Sequence, residues 1–428
     1  MAVNSRETNR AIEAVWRIES AMLIARITRM TGDVGLAEDI AGDTLLIALE
    51  RWPESGVPPN PAAWLMLTAK RRAIDILRRG QTFEAKRNEL GRQMQIAEDL
   101  DAAPDDASPD NDEIGDELLR LIFIACHPVL STDGRVALTL KLLGGLTTGE
   151  IARAFLLSEP AVAQRIVRAK RTLAAANVPF EVPTGPDLAA RLDSVLEVIY
   201  LIFNEGYAAT AGDRLMRPAL CEDALRLGRV LAELVPREPE VHGLVALMEI
   251  QASRTRARVT ASGDPIPLLD QDRSRWDQLL IRRGLAALDR AKTLGHGMGP
   301  YALQAAIAAH HARARTADAT EWVRIAALYD ALSRVAPSPV VELNRAVAVG
   351  RAYGPAEGLE IIDVPGVASS LEGYYLLPAA RGDFLASLGR HDEARAEFAR
   401  AAALTGNARE RGFLLRRAGI GHVSSPRE

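Results

Sequence analysis

The chain has 428 residues, of which 48% are hydrophobic and 25% charged, so it is too long for one hydrophobic core and two or three domains are expected. A formal net charge of −4 excludes a uniformly basic nucleic-acid-binding chain, and no run of about 18 apolar residues is present that could span a membrane. The N-terminal segment lacks the apolar core of a secretory signal. The two cysteines, Cys126 and Cys221, fit buried free thiols in a reducing cytoplasm.

The first distinctive element is an amphipathic helix predicted over residues 32–52, with Glu38, Asp39 and Asp43 in its first half. Asp39 and Asp43 are four residues apart, so they share one helix face, and like charges at this spacing are unfavourable unless a cation meets them. Two interpretations stay open: acids favoured by the helix macrodipole near the N-terminus, or a docking surface for a basic partner.

A proline-rich loop, residues 53–61, leads into a basic helix predicted over residues 61–79. Its apolar face includes Trp64, Leu65 and Leu67. Its polar side gathers cations that can contact phosphates: Lys70, Arg71, Arg72, Arg78 and Arg79. Asn60, at the end of the loop, is either a turn-forming residue before a proline or a base-contacting amide. Trp64 is either a core residue or a wedge at melted DNA.

An acidic segment follows the basic helix. Residues 98–117 contain ten Asp and Glu side chains and no Lys or Arg, so they are too polar to form a core and predict a flexible linker over residues 93–116. Charge is therefore segregated along the chain, and local patches govern contact with nucleic acid more than the net charge does.

The most informative stretch, residues 146–171, has the pattern of a DNA-binding helix-turn-helix. Thr147 and Glu150 have the spacing of a capping box that begins the first helix. Ser158 is a suitable N-cap for the second, in which Val162, Ile166 and Ala169 form an apolar face. The side chains left to face DNA are Ser158, Ala161, Gln164, Arg165, Arg168, Lys170 and Arg171.

In their order and spacing these motifs resemble the bacterial sigma-70 family, and within it the extracytoplasmic-function (ECF) group. AEDIAGDTLL is similar to the core-polymerase-binding helix of the group, AWLMLTAKRRAIDILRR to the helix that reads the −10 promoter element, and the helix-turn-helix to its −35-reading domain. The resemblance covers roughly residues 13–176. It implies an initiation factor that is not an enzyme, needs no cofactor or metal, and binds RNA polymerase core and promoter DNA.

The resemblance also implies roles for particular residues. Glu38, Asp39 and Asp43 would bind the clamp of the polymerase largest subunit, and the flap would be a second core contact. Asn60, Trp64 and the cations of the basic helix would bind the −10 element, and the seven residues at the second helix of the helix-turn-helix would bind the −35 element. The acidic linker would thread a basic channel of the polymerase, or serve only as a solvated tether.

Beyond a proline-punctuated boundary at residues 177–186, the sequence is rich in Ala, Leu and Arg. The small and large residues from Ala380 to Ala401 fit a tetratricopeptide (TPR) helix pair, with weaker copies upstream, which predicts a helical solenoid. The expected fold is all-α: a domain at 1–92, the linker at 93–116, a helix-turn-helix domain at 117–178, and a TPR-like extension at 186–420. The extension would be regulatory and could bind a regulatory protein.

Two alternatives come from other functional classes. A helix-turn-helix regulator with a TPR interaction domain would not need the acidic helix or the first basic helix, and a pure TPR scaffold would need neither basic helix. An enzyme is not indicated, because the seven histidines have no metal-ligand spacing and the chain has no phosphate-binding glycine loop.

Overall fold

A computed structural model describes residues 5–87, 111–155, 157–184, 186–295 and 297–420. Within these ranges the chain is helical apart from loops and two strands of two residues each, so the all-α prediction is confirmed. The chain divides into two compact units, residues 1–198 and residues 199–428. None of the described helices combines the length and the apolar character needed to cross a membrane.

The first unit contains seven complete helices and the start of an eighth among its described residues: α1 (Ser5–Thr31), α2 (Val34–Ser55), α3 (Pro61–Arg87), α4 (Asn111–Ala125), α5 (Thr132–Leu142), α6 (Thr148–Phe155), α7 (Glu159–Ala175) and α8 (Pro186–Tyr207). Helix α1 packs against α2, α3 and α4, while α5 packs against α7. Leu23, Ile27, Trp52, Phe123 and Leu138 are fully buried. The two N-terminal domains expected from the sequence therefore pack together as one unit.

Two boundaries differ from the sequence-based expectation. Helix α4 begins at Asn111, so the last six residues of the predicted linker, 111–116, are helical; residues 93–110 lie outside the described residues. The division between the compact units falls inside α8, after Val198, and not in the proline-rich segment at 177–186.

The start of α8 is joined to the first unit by a buried arginine. Arg135 of α5 donates to Ser194 and, at 2.9 Å, to Glu197, and the Ser194 hydroxyl donates to the Cys126 carbonyl at 2.6 Å. Because Arg135 is buried, removing these partners would leave a desolvated charge. The first unit is therefore complete only when it includes residues up to about 198.

The second unit continues with α9 (Pro218–Leu234), α10 (Pro239–Ala252), 3-10 turns at Thr255–Ala257, Leu268–Asp270 and Arg273–Arg275, α11 (Gln278–Leu294), α12 (Pro300–Arg313), α13 (Trp322–Val335), α14 (Pro339–Ala352), α15 (Pro355–Ile362), α16 (Pro365–Ser370), α17 (Leu376–Ser387), α18 (His391–Leu404) and α19 (Ala408–Arg417). Many of these helices begin with a proline, whose missing N–H costs nothing at that position.

Successive helices of this unit pack as pairs, such as α10 with α11, α13 with α14 and α17 with α18. In the last pair Gly382 approaches Phe398 so closely that a Cβ on the glycine would lie 2.7 Å from the phenylalanine ring. The alternation of small and large residues seen in the sequence is therefore used to bring α17 and α18 together.

The beginning and the end of the second unit are joined. Strand β1 (Ala211–Gly212) pairs in parallel with β2 (Gly406–Asn407). The buried Asn407 amide donates to the carbonyls of Ala209 and Arg214 at 3.0 and 2.9 Å, while its carbonyl oxygen accepts from the first turn of α19. One side chain therefore satisfies backbone groups from both ends of the unit.

Candidate nucleic-acid interface

The helix-turn-helix forms with the caps that the sequence predicts. The Thr147 N–H donates to the Glu150 carboxylate at 2.8 Å, and the Glu150 N–H donates to the Thr147 hydroxyl at 3.2 Å, which is a complete capping box for α6. The Ser158 hydroxyl accepts from the Ala161 N–H at 3.4 Å and caps α7. Ser158 and Ala161 thus fix the start of the predicted recognition helix.

Helix α7 separates apolar and polar faces as expected. Val162, Ile166 and Ala169 are buried. Gln164, Arg168 and Arg171 are exposed, and Arg165 is half-buried beside Asp133 at 3.1 Å. Gln164, Arg168 and Arg171 are therefore accessible to DNA without rearrangement, whereas Arg165 is held by a surface carboxylate.

Lys170 differs from the expectation of a solvent-facing side chain. Only 16% of it is exposed, and its ammonium group is paired with Glu38 and, at 3.1 Å, with Asp39 of α2. Lys141 lies 3.3 Å from the same Glu38, which is 15% exposed. A residue predicted to bind DNA therefore meets two residues predicted to bind polymerase.

The electrostatics of this cluster favour the charged forms on both sides. Burial alone would raise the pKa of Glu38, but Lys170 and Lys141 lower that pKa below its ordinary value. Burial would lower the pKa of Lys170, but Glu38 and Asp39 raise it. The cluster is a network of paired charges at the contact between α2 and α7.

A second pair of the same kind joins α2 to the basic helix α3. Both Nε and Nη2 of Arg72 donate to one oxygen of Asp43, at 2.9 and 2.6 Å. The other cations of α3 that were predicted to bind the −10 element, Lys70, Arg71, Arg78 and Arg79, all lie at exposed positions. Leu67, which was expected on the apolar face, is 51% exposed.

Asn60 and Trp64 lie at the start of α3. The Asn60 side-chain oxygen accepts from the Ala63 N–H at 3.1 Å, so this exposed residue caps the helix. Trp64 is half-buried and packs edge-to-face on the fully buried Trp52, with ring centroids 5.3 Å apart. The structure thus gives Trp64 a packing role while leaving part of its ring accessible.

Helix α2 also presents an apolar residue that sequence reasoning missed. Leu46 is 58% exposed and follows Asp39 and Asp43 at the i+7 and i+3 positions, so all three share a face. Helical spacing from the two acids was the signal that could have identified it. The acids of this face would repel DNA phosphates, so the face does not suit DNA binding.

Further ion pairs join the N-terminal helices to α4 and α6. Glu117 of α4 is buried and pairs with Arg29 at 2.8 Å and with Arg26 at 3.3 Å. Arg17 of α1 reaches Glu150, the capping-box residue, at 3.2 Å. Cys126 and Cys221 are free and buried, as predicted, and burial raises their pKa values to about 11 and about 12. Among the described residues, no group of three or more His, Cys, Asp or Glu could hold a metal ion.

The basic helix α3, whose start is capped by Asn60, and the helix-turn-helix of α6 and α7 together indicate a DNA-binding protein. Comparison with known proteins agrees: residues 18–83 match Sigma-70 region 2, and residues 120–173 match Sigma-70, region 4. Residues 191–292 match a family of unknown function, DUF6596. No solved structure matches the chain.

Relatives extend this result. An uncharacterized protein of Rhizobium meliloti (strain 1021) is 42% identical over 410 residues, which is 93% of this chain and 94% of that protein. The ECF RNA polymerase sigma factor SigL of Mycobacterium tuberculosis is 31% identical over 163 residues, or 38% of this chain and 86% of SigL. SigK of Mycobacterium ulcerans (strain Agy99) is 29% identical over 155 residues, or 35% of this chain and 75% of SigK. The chain belongs to the sigma-70 family, as an RNA polymerase sigma factor of the ECF type. The resemblance noted from the sequence is confirmed for its N-terminal part.

Proposed function

We propose that this sigma factor binds polymerase core through the exposed face of α2 formed by Asp39, Asp43 and Leu46, with Glu38 beside them. The observation that carries this proposal is that two acids and an exposed leucine share one face. The leucine offers apolar area, and the acids set orientation and association rate. Acids placed only to complement the helix macrodipole would not need Leu46 beside them.

Promoter recognition would use the two basic helices. Lys70, Arg71, Arg78 and Arg79 of α3 would follow the phosphates near the −10 element, with Arg72 joining them once it leaves Asp43. Asn60 would contact an unstacked base and Trp64 would flank the melted step. In α7, Gln164, Arg165 and Arg168 would reach base edges of the −35 element, where an arginine bridges guanine and a glutamine pairs with adenine. Ser158, Ala161, Lys170 and Arg171 would contact the neighbouring backbone.

In the free protein, the acids of α2 proposed to bind polymerase are paired with cations of α3 and α7 proposed to bind DNA. We call the two ion-pair groups, Lys170 with Glu38 and Asp39, and Arg72 with Asp43, the closed arrangement. Core that binds at α2 would take the acids out of these pairs. DNA that binds at α3 and α7 would take out the cations. Polymerase and promoter would therefore compete against the same internal contacts, which couples the two binding steps.

The C-terminal unit would regulate initiation. Its paired helices with close small-to-large packing support a TPR-like solenoid, and such surfaces bind protein segments. A regulatory protein is therefore the partner that this unit would accept, and we expect its removal to lower transcription, with inhibition in cis as the alternative. The C-terminal unit should be removed by a cut after Val198, because a cut in the proline-rich segment at residues 177–186 would remove Ser194 and Glu197 from the buried Arg135.

Run-off transcription tests the function as a whole. Purified core with and without this protein is assayed on promoter fragments, first with the full chain and then with the protein cut after Val198. We expect the wild-type protein to give a core-dependent transcript and to pull down core. The Asp39→Arg/Asp43→Arg variant should lose both activities. Arg51→Glu is the charge-reversal control, because Arg51 is exposed on the same helix but lies about 120° around it from Asp39. Wild-type pull-down by the double variant would refute docking through α2, and absence of any core-dependent transcript would favour a plain helix-turn-helix regulator.

A further inference from the structure

A cavity of about 170 Å³ lies within the second unit, between α10, α12, α13 and the 3-10 turn at Leu268–Asp270. Its apolar wall is formed by Leu247, Ile250, Leu268 and Ile307, and its polar wall by Gln251, Arg254, Gln304, His311 and Tyr329. An engineered apolar cavity of about 150 Å³ holds a benzene molecule. The volume therefore suits a compact ligand with a ring-sized apolar body and one polar end.

The polar wall carries positive charge at Arg254, and two further arginines, Arg258 and Arg273, stack on the same two aromatic rings as Arg254. The Arg254 guanidinium donates to the Tyr207 hydroxyl and to the side-chain amide oxygen of Gln251, and it lies 5.8 Å from both the Tyr207 and the Trp276 ring centroids. Arg258 stacks on Tyr207 at 3.6 Å and Arg273 on Trp276 at 4.7 Å. All three guanidinium groups are thus held by aromatic rings and neutral oxygens.

No carboxylate among the described residues lies within ion-pair distance of any of these three arginines. Besides its contact with the Trp276 ring, the Arg273 guanidinium donates to the carbonyl oxygens of His311 and Ala314 and to the Thr320 hydroxyl. Burial lowers the pKa of Arg258 and of Arg273. The charge of Glu410 acts favourably on Arg258, so it is Arg254, which lines the cavity, and Arg273 that favour an anion. Partly desolvated cations without a close carboxylate are costly unless an anion joins them.

His311 supplies an independent observation. It is only 9% exposed, it lines the cavity, and its Nδ1 is buried without a hydrogen-bond partner. Burial, followed by the charges of Arg254 and Arg273, lowers its pKa to about 3, so the ring is neutral near pH 7. A buried ring nitrogen with no partner is rare in proteins, and in a cavity it indicates a place for a ligand atom or water.

We propose that this cavity is a binding site for a small organic carboxylate, with the carboxylate on Arg254 and His311 and the apolar body against Leu247, Ile250 and Ile307. A carboxylate matches a guanidinium fork better than a neutral amide does. The apolar wall distinguishes such a ligand from an inorganic anion. This site lies outside the sigma domains and does not depend on the roles proposed for α2, α3 or α7.

Benzoate is the probe, used with the full-length protein. Benzamide is the neutral control of the same shape, and acetate and inorganic phosphate are the anions without a ring. Because a ligand that binds only the folded protein stabilises it in proportion to ln(1 + [L]/Kd), thermal unfolding and titration calorimetry report the same event. We expect saturable stabilisation by benzoate and an affinity at least about tenfold weaker for benzamide and acetate.

Variants separate binding from folding. Arg254→Gln should weaken benzoate binding at least about tenfold, whereas Arg275→Gln, an exposed arginine in the neighbouring turn, should leave binding unchanged. Because Arg254 also packs on two rings, the second test is Ala308→Leu, at another residue that lines the cavity. The larger side chain should fill the cavity and abolish binding while the ligand-free protein stays folded. Equal binding of benzoate and benzamide, binding of phosphate alone, or wild-type affinity in Ala308→Leu would each overturn the proposal.

Discussion

Replacing Lys170 by methionine tests the closed arrangement directly. The methionine keeps much of the apolar stem but removes the ammonium group from Glu38 and Asp39. A hydrogen bond to a charged group contributes about 1.5–3 kcal/mol. The exposed Asp39 pair adds little, and Lys141 still neutralises Glu38 at 3.3 Å, so we expect a loss of about 2 kcal/mol from the contact between α2 and α7.

A change of about 2 kcal/mol shifts the equilibrium between closed and open forms about 30-fold. The apparent affinity for core is reduced by the fraction of protein that is closed, so Lys170→Met should bind core more tightly, by up to about 30-fold. Lys170 itself is assigned to DNA, so its loss removes no proposed polymerase contact. Affinity for core alone, without promoter, is the measurement, made by fluorescence anisotropy.

Arg171→Met is the matched control, because it removes one charge from an exposed position on the same helix. It should leave core affinity unchanged. If Lys170→Met also bound core with wild-type affinity, the closed arrangement would not oppose polymerase binding, and our explanation of the buried ion pair would be wrong.

The remaining predictions concern both units. Because the pKa of His311 is lowered to about 3 in the folded protein, near pH 5 the unfolded protein binds a proton that the folded protein does not. The free energy of unfolding of the second unit should therefore fall by about 2 kcal/mol between pH 7.5 and pH 5. Denaturant unfolding of a His311→Gln variant should show a weaker dependence of stability on pH, and an unchanged dependence would contradict the assignment. Gly382→Ala should destabilise the second unit by about 1–3 kcal/mol, because its Cβ meets Phe398 at 2.7 Å, whereas helical Gly366→Ala, which meets nothing within 4 Å, should not; equal melting temperatures would refute the close approach. Arg168→Ala should weaken initiation at promoters with an intact −35 element by about 1–3 kcal/mol, measured by run-off transcription, and an identical effect on −35-scrambled promoters would exclude base reading.

Local signals carried most of what the sequence could predict. The caps at Thr147, Glu150 and Ser158 form between residues three positions apart, so they are visible in any stretch of a few residues. The buried face of α7 follows from helical periodicity in the same way. Motif order then identified the sigma domains, because several weak local patterns in one order are more specific than any single pattern.

Tertiary partners were beyond such reasoning. Lys170 meets Glu38 across 132 positions of sequence, and no local feature distinguishes it from the exposed Arg171 next to it. In the sequence Arg135 looks like any exposed arginine on a helix, yet in the structure it is buried and bonded to Ser194 and Glu197, about 60 residues later. Leu67 was placed on the apolar face by hydrophobicity alone, although the buried side of α3 runs through Leu65 and Ala69.

The tie at Asn407 changes how the second unit should come apart. A chain of stacked helix pairs normally behaves as a row of neighbours, and its end repeat can fray while the rest persists. Here the amide that starts α19 is also the partner of the carbonyls of Ala209 and Arg214, nearly 200 residues earlier. Loss of the last helix therefore exposes unsatisfied groups near the first. The two ends of the second unit thus stabilise each other, and the unit should unfold in one cooperative transition rather than by fraying from its C-terminal end.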